Sequence, residues 1–339
     1  MKVLVTGGLG FIGSHTVVEL QNKGFEVVII DNLSNSSIEV LDGITTITGV
    51  KPHFEKIDLR EKSEVVRFFE THKDIAGVIH FAASKAVGES VKEPLMYYEN
   101  NINTLVYVLQ ELSKLEKQNF IFSSSCTVYG QADELPITEN APVKPAESPY
   151  GNTKQIGEEI IRDTCKINSQ LKSIALRYFN PIGAHPSAEI GELPIGVPQN
   201  LVPYITQTAI GIREQLSVFG GDYDTPDGTC IRDYIHVVDL AKAHVVALER
   251  LMENKNLSNY EVFNLGTGKG SSVLEAIKSF DKVSGKKLKY QIVGRREGDV
   301  TAAYADTTKA NDVLGWKTKL TLDDAMASAW KWEQKIRNK

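Results

Sequence analysis

Tyr150 and Lys154 stand four residues apart at the start of a stretch in which Ile156, Ile160 and Ile161 recur at helical spacing, so both side chains fall on one helix face. A phenol beside an ammonium is a proton-transfer pair. With 12 tyrosines in the chain, about one Tyr-x-x-x-Lys arises by chance, and position must carry the weight. The pair lies downstream of Ser123-Ser124-Ser125, at the C-terminal end of a candidate parallel strand, the edge where open α/β sheets place their chemistry. Ser125 is suited to hydrogen-bond a reacting oxygen there, with Tyr150 as the acid/base.

Such a pair needs a sheet beneath it, and the first strand and turn supply the clearest sign of one. Val3 to Thr6 runs into Gly7-Gly8-Leu9-Gly10-Phe11-Ile12-Gly13, and Ile12, Val17, Val18 and Leu20 then mark a helix. Glycines at 7, 10 and 13 suit a strand-to-helix turn where backbone approaches a pyrophosphate and the helix packs closely on the sheet. The second strand ends in Asp31, whose carboxylate can accept from both ribose hydroxyls of an adenosine and would repel a 2′-phosphate. Neither Asn32 nor Leu33 is basic, so NAD is expected rather than NADP. Asp58, at the end of the third strand, either receives the adenine amino group or caps the helix after it. An unperturbed tyrosine has a pKa of about 10, and use as a base near neutrality means lowering it by roughly 3 units, about 4 kcal/mol. The Lys154 ammonium and a cationic nicotinamide ring can supply that together, and Lys154 can also hold the nicotinamide ribose.

The rest of the first half alternates β-rich runs with helical stretches, which predicts an α/β fold: a Rossmann-type, doubly wound parallel sheet with a second, smaller α/β substrate domain. Strands are expected at Val3 to Thr6, Glu26 to Ile30, His53 to Ile57, Gly77 to Phe81, Asn119 to Ser123 and Ser173 to Arg177. Helices are expected over Glu61 to Glu70 and Pro94 to Leu115. After Asn180 the chain becomes rich in Pro and Gly, which sets residues 1–180 as the cofactor domain and 181–339 as the substrate domain, with later segments free to recross. Capping-box patterns at Ser272 to Glu275 and Thr321 to Asp324 open two late helices.

Composition narrows the partners. The net charge of -5 over 339 residues argues against general affinity for nucleic acid or anionic membrane, so an anionic substrate needs a local basic pocket. No segment approaches the roughly 20 apolar residues of a membrane span. No basic leader with an apolar core follows Met1, and the chain reads as soluble and cytoplasmic. Cys126, Cys165 and Cys230 are too few and too scattered for a disulfide framework or a cysteine zinc site. The seven histidines show no ligand-like spacing, and His15, His80, His236 and His244 read as structural, so no metal is expected.

Longer strings carry a resemblance. TGGLGFIGSH from Thr6, HFAASKAVGESV from His80, FSSSCTVYG from Phe122, SPYGNTK from Ser148, RYFNPIGAHPSAEIGE from Arg177, DGTCIRDYIHVVDLA from Asp227 and RREGD from Arg295 resemble the extended short-chain dehydrogenase/reductases. The second-domain strings narrow the resemblance to the UDP-glucose 4-epimerase family, over essentially the whole chain. It implies Tyr150 as acid/base, Ser125 as its partner on the sugar oxygen and Lys154 as the cofactor lysine. Around NAD it places Phe11, Ile12, Asp31, Asn32, Asn35, Ser36, Asp58, Phe81, Lys85, Asn100 and Tyr178. Around UDP-sugar it places Asn180, Asn200, Leu201, Phe219, Arg232, Arg296 and Asp299. Two arginines suit a diphosphate, and Asp299 suits the uridine ribose hydroxyls; the alternative for Arg232 is an ion pair with Asp233 or Asp239.

The implied reaction is oxidation at C4, rotation of the keto sugar and reduction from its other face. The resemblance also implies a homodimer formed through the Pro94 to Leu115 and Tyr150 to Cys165 helices. A 4,6-dehydratase would need an Asp-Glu pair directly after the Ser, where Cys126 and Thr127 stand. Ala303 occupies a position beside the sugar pocket of this family, where a small residue implies tolerance of a 2-acetamido group and interconversion of UDP-N-acetylglucosamine with UDP-N-acetylgalactosamine; adjacent Tyr304 swinging in is the alternative.

Overall fold

The computed structural model describes residues 1–296 and 299–338. The N-terminal half alternates strand and helix: β1 Lys2–Thr6, α1 Phe11–Asn22, β2 Glu26–Asp31, α2 Val40–Thr48, β3 His53–Lys56, α3 Lys62–Thr71, β4 Ile75–His80, α4 Val87–Lys92, α5 Pro94–Leu112, β5 Gln118–Ser125, α6 Pro149–Ile167 and β6 Leu171–Tyr178. Shorter elements follow: β7 Asn180–Ile182, α7 Leu201–Ala209, β8 Leu216–Phe219, β9 Ile231–Arg232, β10 Tyr234–His236 and α8 Val237–Met252. The chain ends with β11 Tyr260–Leu265, β12 Ser271–Ser272, α9 Val273–Ser284, β13 Tyr290–Val293, β14 Ala302–Ala303 and α10 Leu322–Arg337.

Seven strands form one parallel sheet in the order β11-β6-β5-β4-β1-β2-β3. Every residue of β4 and β5 is buried, as expected of strands covered on both faces. Val3, Val5, Ile29, Ile79, Ile121 and Leu176 face one core with Val17, Val18, Leu240 and Leu248 of α1 and α8. Leu4, Val28, Ile30, Val78, Phe120 and Phe122 face the other, with Phe68, Leu105, Leu109 and Ile161 of α3, α5 and α6. The strand order reverses direction between β1 and β4, which opens the crevice where such sheets bind ligands. A third core under α7, α9 and α10 holds Ile205, Phe280, Met326 and Trp330.

The six expected strands are present, most of them a residue or two longer or shorter than expected. The seventh, β11, comes from beyond residue 180 and pairs with β6, and α8 packs beneath it, so the late chain recrosses into the sheet. The second helix of interest ends at Leu112 rather than Leu115, and its Leu95 is exposed. Asp58 does not cap α3. Glu61 holds the N-cap position, and the Asp58 carboxylate instead accepts from the Arg60 guanidinium and from Asn32 Nδ2 at 3.3 Å. A short, free side chain three residues before the N-cap is drawn to the nearest charged donor rather than to the helix amides. Both late capping boxes form as expected, Ser272 with Glu275 and Thr321 with Asp324.

Candidate active site

The reactive side chains are set by the junction of β5 with α6. Ser148 opens α6 by accepting from the Gly151 amide, and Pro149 at the first helical position fixes the entry. One turn later Lys154 is buried, its Nζ donating to the Ser123 carbonyl at 2.6 Å and lying 5.9 Å from the centre of the Tyr150 ring. Ser125 ends β5, and its Oγ accepts from the Thr127 amide at 3.2 Å, which pins the turn Cys126–Tyr129. Tyr150, Ser125 and Lys154 therefore meet at the C-terminal edge of the sheet.

Their protonation departs from the simple expectation. Burial pushes the Tyr150 phenol up to about 12, with the Ser125 hydroxyl pulling the other way. Burial draws the Lys154 ammonium down to about 7, against the opposing pull of Glu158. The protein's own groups thus hold the tyrosine protonated, and the charge that lowers it must come chiefly from what binds beside it. The Lys154 Nζ is engaged by the Ser123 carbonyl and hydroxyl.

The glycine loop has the shape a pyrophosphate requires. Gly7 sits at φ +67, and a Cβ on Gly13 would lie 2.3 Å from the Gly7 carbonyl oxygen, so neither position accepts a side chain without movement. The amides of the first helical turn, Phe11 to Gly13, have no acceptor within the helix and α1 carries no acid there, which leaves donors and the positive dipole end for an anion. Asp31 is buried at the end of β2; Oδ2 accepts from the Leu9 amide, and Oδ1 from the Leu33 amide and the Ser36 hydroxyl. That orients both oxygens over the loop.

The remaining positions expected around a dinucleotide line the same strand ends. Asn32 reaches Asp58; Asn35 is exposed on the loop after β2; Phe81 follows β4, its ring tilted against that of His244 with centroids 4.7 Å apart; Asn100 of α5 donates to Ser84; Tyr178 ends β6. Gly10 is the N-cap of α1, with Phe11 and Ile12 next. Backbone cradle, oriented carboxylate and buried lysine together fit a dinucleotide.

A second group comes from the elements after β6. Asn180 begins β7, and its amide donates to the Asp233 carbonyl. Asn200 precedes Leu201 at the start of α7, and Phe219 is exposed at the end of β8. Arg232 donates to Asp299 Oδ1 at 2.8 Å, and Arg296 reaches the same oxygen at 3.0 Å. Arg232 does not pair with the acids named as its alternative. Asp233 accepts from Thr267, Gly268 and Ala305, and Asp239 from the Lys319 and Leu320 amides. Of the RREGD string, Glu297 and Gly298 lie outside the described residues. Ala303 stands opposite Arg232 in register and packs against the small core of Val128, Tyr129, Ile137, Phe179 and Ala305, as Cys126 does, while the Tyr304 ring lies against Gly270.

Two acids were missed by sequence reasoning. Glu192 takes Asn200 Nδ2 at 2.5 Å and lies 3.8 Å from Lys85 Nζ, so it links the two groups; it sat inside a quoted string without a role. Glu158 accepts from Ser124 and Arg177 beneath the catalytic junction. Its signal was available, since it follows Lys154 by one helical turn. His15, His80, His236 and His244 are buried.

This fold and site define an enzyme of the extended short-chain dehydrogenase/reductase class. The model of the family described as GDP-mannose 4,6 dehydratase matches residues 4–329. A UDP-glucose 4-epimerase of Bacillus subtilis is 50% identical over 333 residues, covering 98% of this chain and 97% of its own. The crystal structure of the Bifidobacterium longum UDP-glucose 4-epimerase, in complex with NAD+ and UDP, superposes with a TM-score of 0.95 at 47% identity, over 100% of this chain and 99% of that one. The Stenotrophomonas maltophila enzyme, with bound NAD and formylated UDP-arabinopyranose, gives 0.96 at 45% identity over the same shares. The chain belongs to the UDP-glucose 4-epimerase family, within the broader GDP-mannose 4,6 dehydratase family.

The Lys154 shift carries a test. Its folded pKa of about 7 lies below the 10.5 of the unfolded chain, so the unfolded state binds the extra proton between those values. Stability should therefore rise with pH from about 7 to 10.5, by up to about 1.4 kcal/mol per unit. Urea unfolding of the nucleotide-free chain at pH 7, 8 and 9 should show this rise, and Lys154→Met should flatten it. Equal slopes in the two proteins would remove the burial account.

Proposed function

We propose that this chain is an NAD-dependent UDP-glucose 4-epimerase, interconverting UDP-glucose and UDP-galactose through a transient 4-keto sugar. The observation that carries the reading is the meeting of Tyr150, Ser125 and Lys154 at the strand edge facing the glycine loop. Bound NAD supplies reversible oxidation of the C4 carbinol. Tyr150 takes the proton of the 4-hydroxyl and returns it after the sugar has turned, while Ser125 holds that oxygen in line. Lys154, fixed on the Ser123 carbonyl, holds the nicotinamide ribose. Asp31 takes the adenosine ribose hydroxyls and excludes a 2′-phosphate, and the positions from Asn32 to Tyr178 named above surround the rest. In this reading residues 1–180 bind the cofactor, residues 181–339 bind UDP-sugar, and α8 with β11 complete the sheet.

UDP is held by Asn180, Asn200, Leu201, Phe219, Arg232, Arg296 and Asp299. Binding energy spent on the nucleotide leaves the sugar free to rotate, which a tightly held ring would forbid. Cys126 and Thr127, where a dehydratase needs an Asp-Glu pair, leave no acid to eliminate the C6 hydroxyl.

Turnover of UDP-galactose decides the reading. UDP-glucose should form, and Tyr150→Phe should lower the rate by at least a hundredfold with UDP affinity retained. A stable 4-keto-6-deoxy product, or activity in the variant within tenfold of wild type, would reject it.

A wider substrate range follows from Ala303. A methyl group at this position, in register with Arg232, excludes less volume than a ring would and so favours tolerance of a 2-acetamido group, and the Tyr304 ring lies against Gly270. The wild type should also interconvert UDP-N-acetylglucosamine and UDP-N-acetylgalactosamine, and Ala303→Tyr should lose that activity while keeping the hexose reaction. A wild type inert toward UDP-N-acetylglucosamine would end this extension.

The homodimer belongs to the same proposal. Val87, Val91 and Leu95 leave apolar surface exposed at the start of the α4–α5 face, and α5 lies beside α6, where Asn152 donates to Tyr98. Sedimentation equilibrium should give twice 37.5 kDa, and a monomer mass at micromolar concentration would exclude it.

A further inference from the structure

Two histidines and a glutamate with no part in the proposed reaction converge at the edge of the sheet. His53 and Glu55 are two residues apart on the edge strand β3, so their side chains share a face, and His72 is the residue that closes α3. His53 Nε2 lies 3.0 Å, and His72 Nε2 2.7 Å, from the same oxygen, Glu55 Oε1. The two imidazole centres are 5.7 Å apart, and one ligand atom from each residue lies within 4.8 Å of the others. The separation of 53 from 72 in sequence is why no local spacing announces the cluster.

We propose that His53, Glu55 and His72 form a binding site for a divalent transition metal of the Zn2+ class. Two imidazoles and a carboxylate are a donor set that Zn2+ takes with its fourth position left to water. Bonds of about 2.0–2.1 Å in a tetrahedron separate ligand atoms by about 3.4 Å, so the carboxylate oxygen has to draw back from His53 Nε2 by about 0.4 Å and from His72 Nε2 by about 0.7 Å, within reach of a side-chain rotation. The ion then occupies the place where each imidazole now meets the carboxylate. Access is open: the His53 side chain is 56% exposed, and Glu55 lines a surface cleft of about 380 Å³ with Ile57, Phe68 and Thr71. Arg67, on the same cleft, is turned to Glu64 at 3.6 Å and so is partly neutralised. A bound ion would tie the edge strand, which has a neighbour on one side only, to the end of α3. Because His53 begins its strand, the site lies toward the opposite end of the sheet from Tyr150, and occupancy should not enter the chemistry.

Zinc chloride titrated by calorimetry into the full chain, with its cofactor and after chelation of stray metal, should give one ion bound per chain. His53→Ala and Glu55→Gln should each weaken binding at least about tenfold, since loss of even an outer-shell partner costs that much. Turnover should be unchanged in both. Saturating Zn2+ should raise the Tm of wild type and not of His53→Ala, whose exposed side chain contributes little to packing. Absence of binding overturns the site, and so does binding that persists undiminished in the His53→Ala, His72→Ala double variant, because the ion would then be held elsewhere.

Discussion

Keeping an ammonium charge out of water beneath the reactive edge of the sheet is the constraint on which the rest of this architecture turns. Lys154 is buried, and the cost of removing an ammonium from water is several kcal/mol unless charge and hydrogen bonds offset it. The offset is local and partial: the Ser123 carbonyl and hydroxyl receive the ammonium and Glu158 lies one turn further along the same helix, yet burial still draws the amine down to about 7. Glu158 is itself committed, accepting from Ser124, from two nitrogens of Arg177 and from Tyr260. Arg177 in turn donates to Tyr129, which donates to Asn264. One buried network thus joins β5, α6, β6 and β11. Losing one member of a buried ion pair typically costs about 3–5 kcal/mol, so the strand that recrosses from the second half is bound into the catalytic floor.

The same constraint explains the odd electrostatics of the site. A phenol at about 12 beside an amine at about 7 is a poor acid/base pair on its own. In the proposed reaction that would be useful: bound NAD would supply the positive charge that lowers the phenol, so Tyr150 would take up its role as base with the oxidant present. Preorganisation is spent on position: the Ser148 cap, Pro149 and the Ser125-anchored turn hold the geometry, while charge is left to arrive with the ligand.

Much of the first half was legible because its signals are local. A glycine that must adopt φ +67, an acid at a strand end and apolar runs buried on two faces are each written in a few adjacent residues. β11 was not placed because YEVFNL is a short run whose partner, β6, is far away in sequence; only tertiary pairing assigns it. Of the two readings left open for Asp58, the cap does not form, because Arg60, two residues away, captures the carboxylate. Glu192 carries no motif by itself, and its role exists only where two segments meet; Glu158 has one local sign, its place one turn after Lys154, but its partners Ser124 and Arg177 come from other strands. The His53–His72 pairing is of that kind as well.

The chain's net charge of -5 sets the last problem, which is how a polyanion is drawn to an acidic protein. Arg232 and Arg296 converge on one oxygen of Asp299, so the two cations are held about a shared acceptor before any ligand arrives. Without that acid, like charges so close would repel and splay apart, and the side-chain entropy of fixing them would fall on the binding step. With it, the pair keeps one net positive charge in a fixed fork. A diphosphate brings more negative charge than Asp299 supplies and can engage both guanidiniums through the donors that Asp299 leaves free. The acid therefore weakens the attraction of each arginine and sharpens their joint geometry. In the proposed reaction, where the nucleotide is gripped while its sugar turns, geometry is the scarcer quantity.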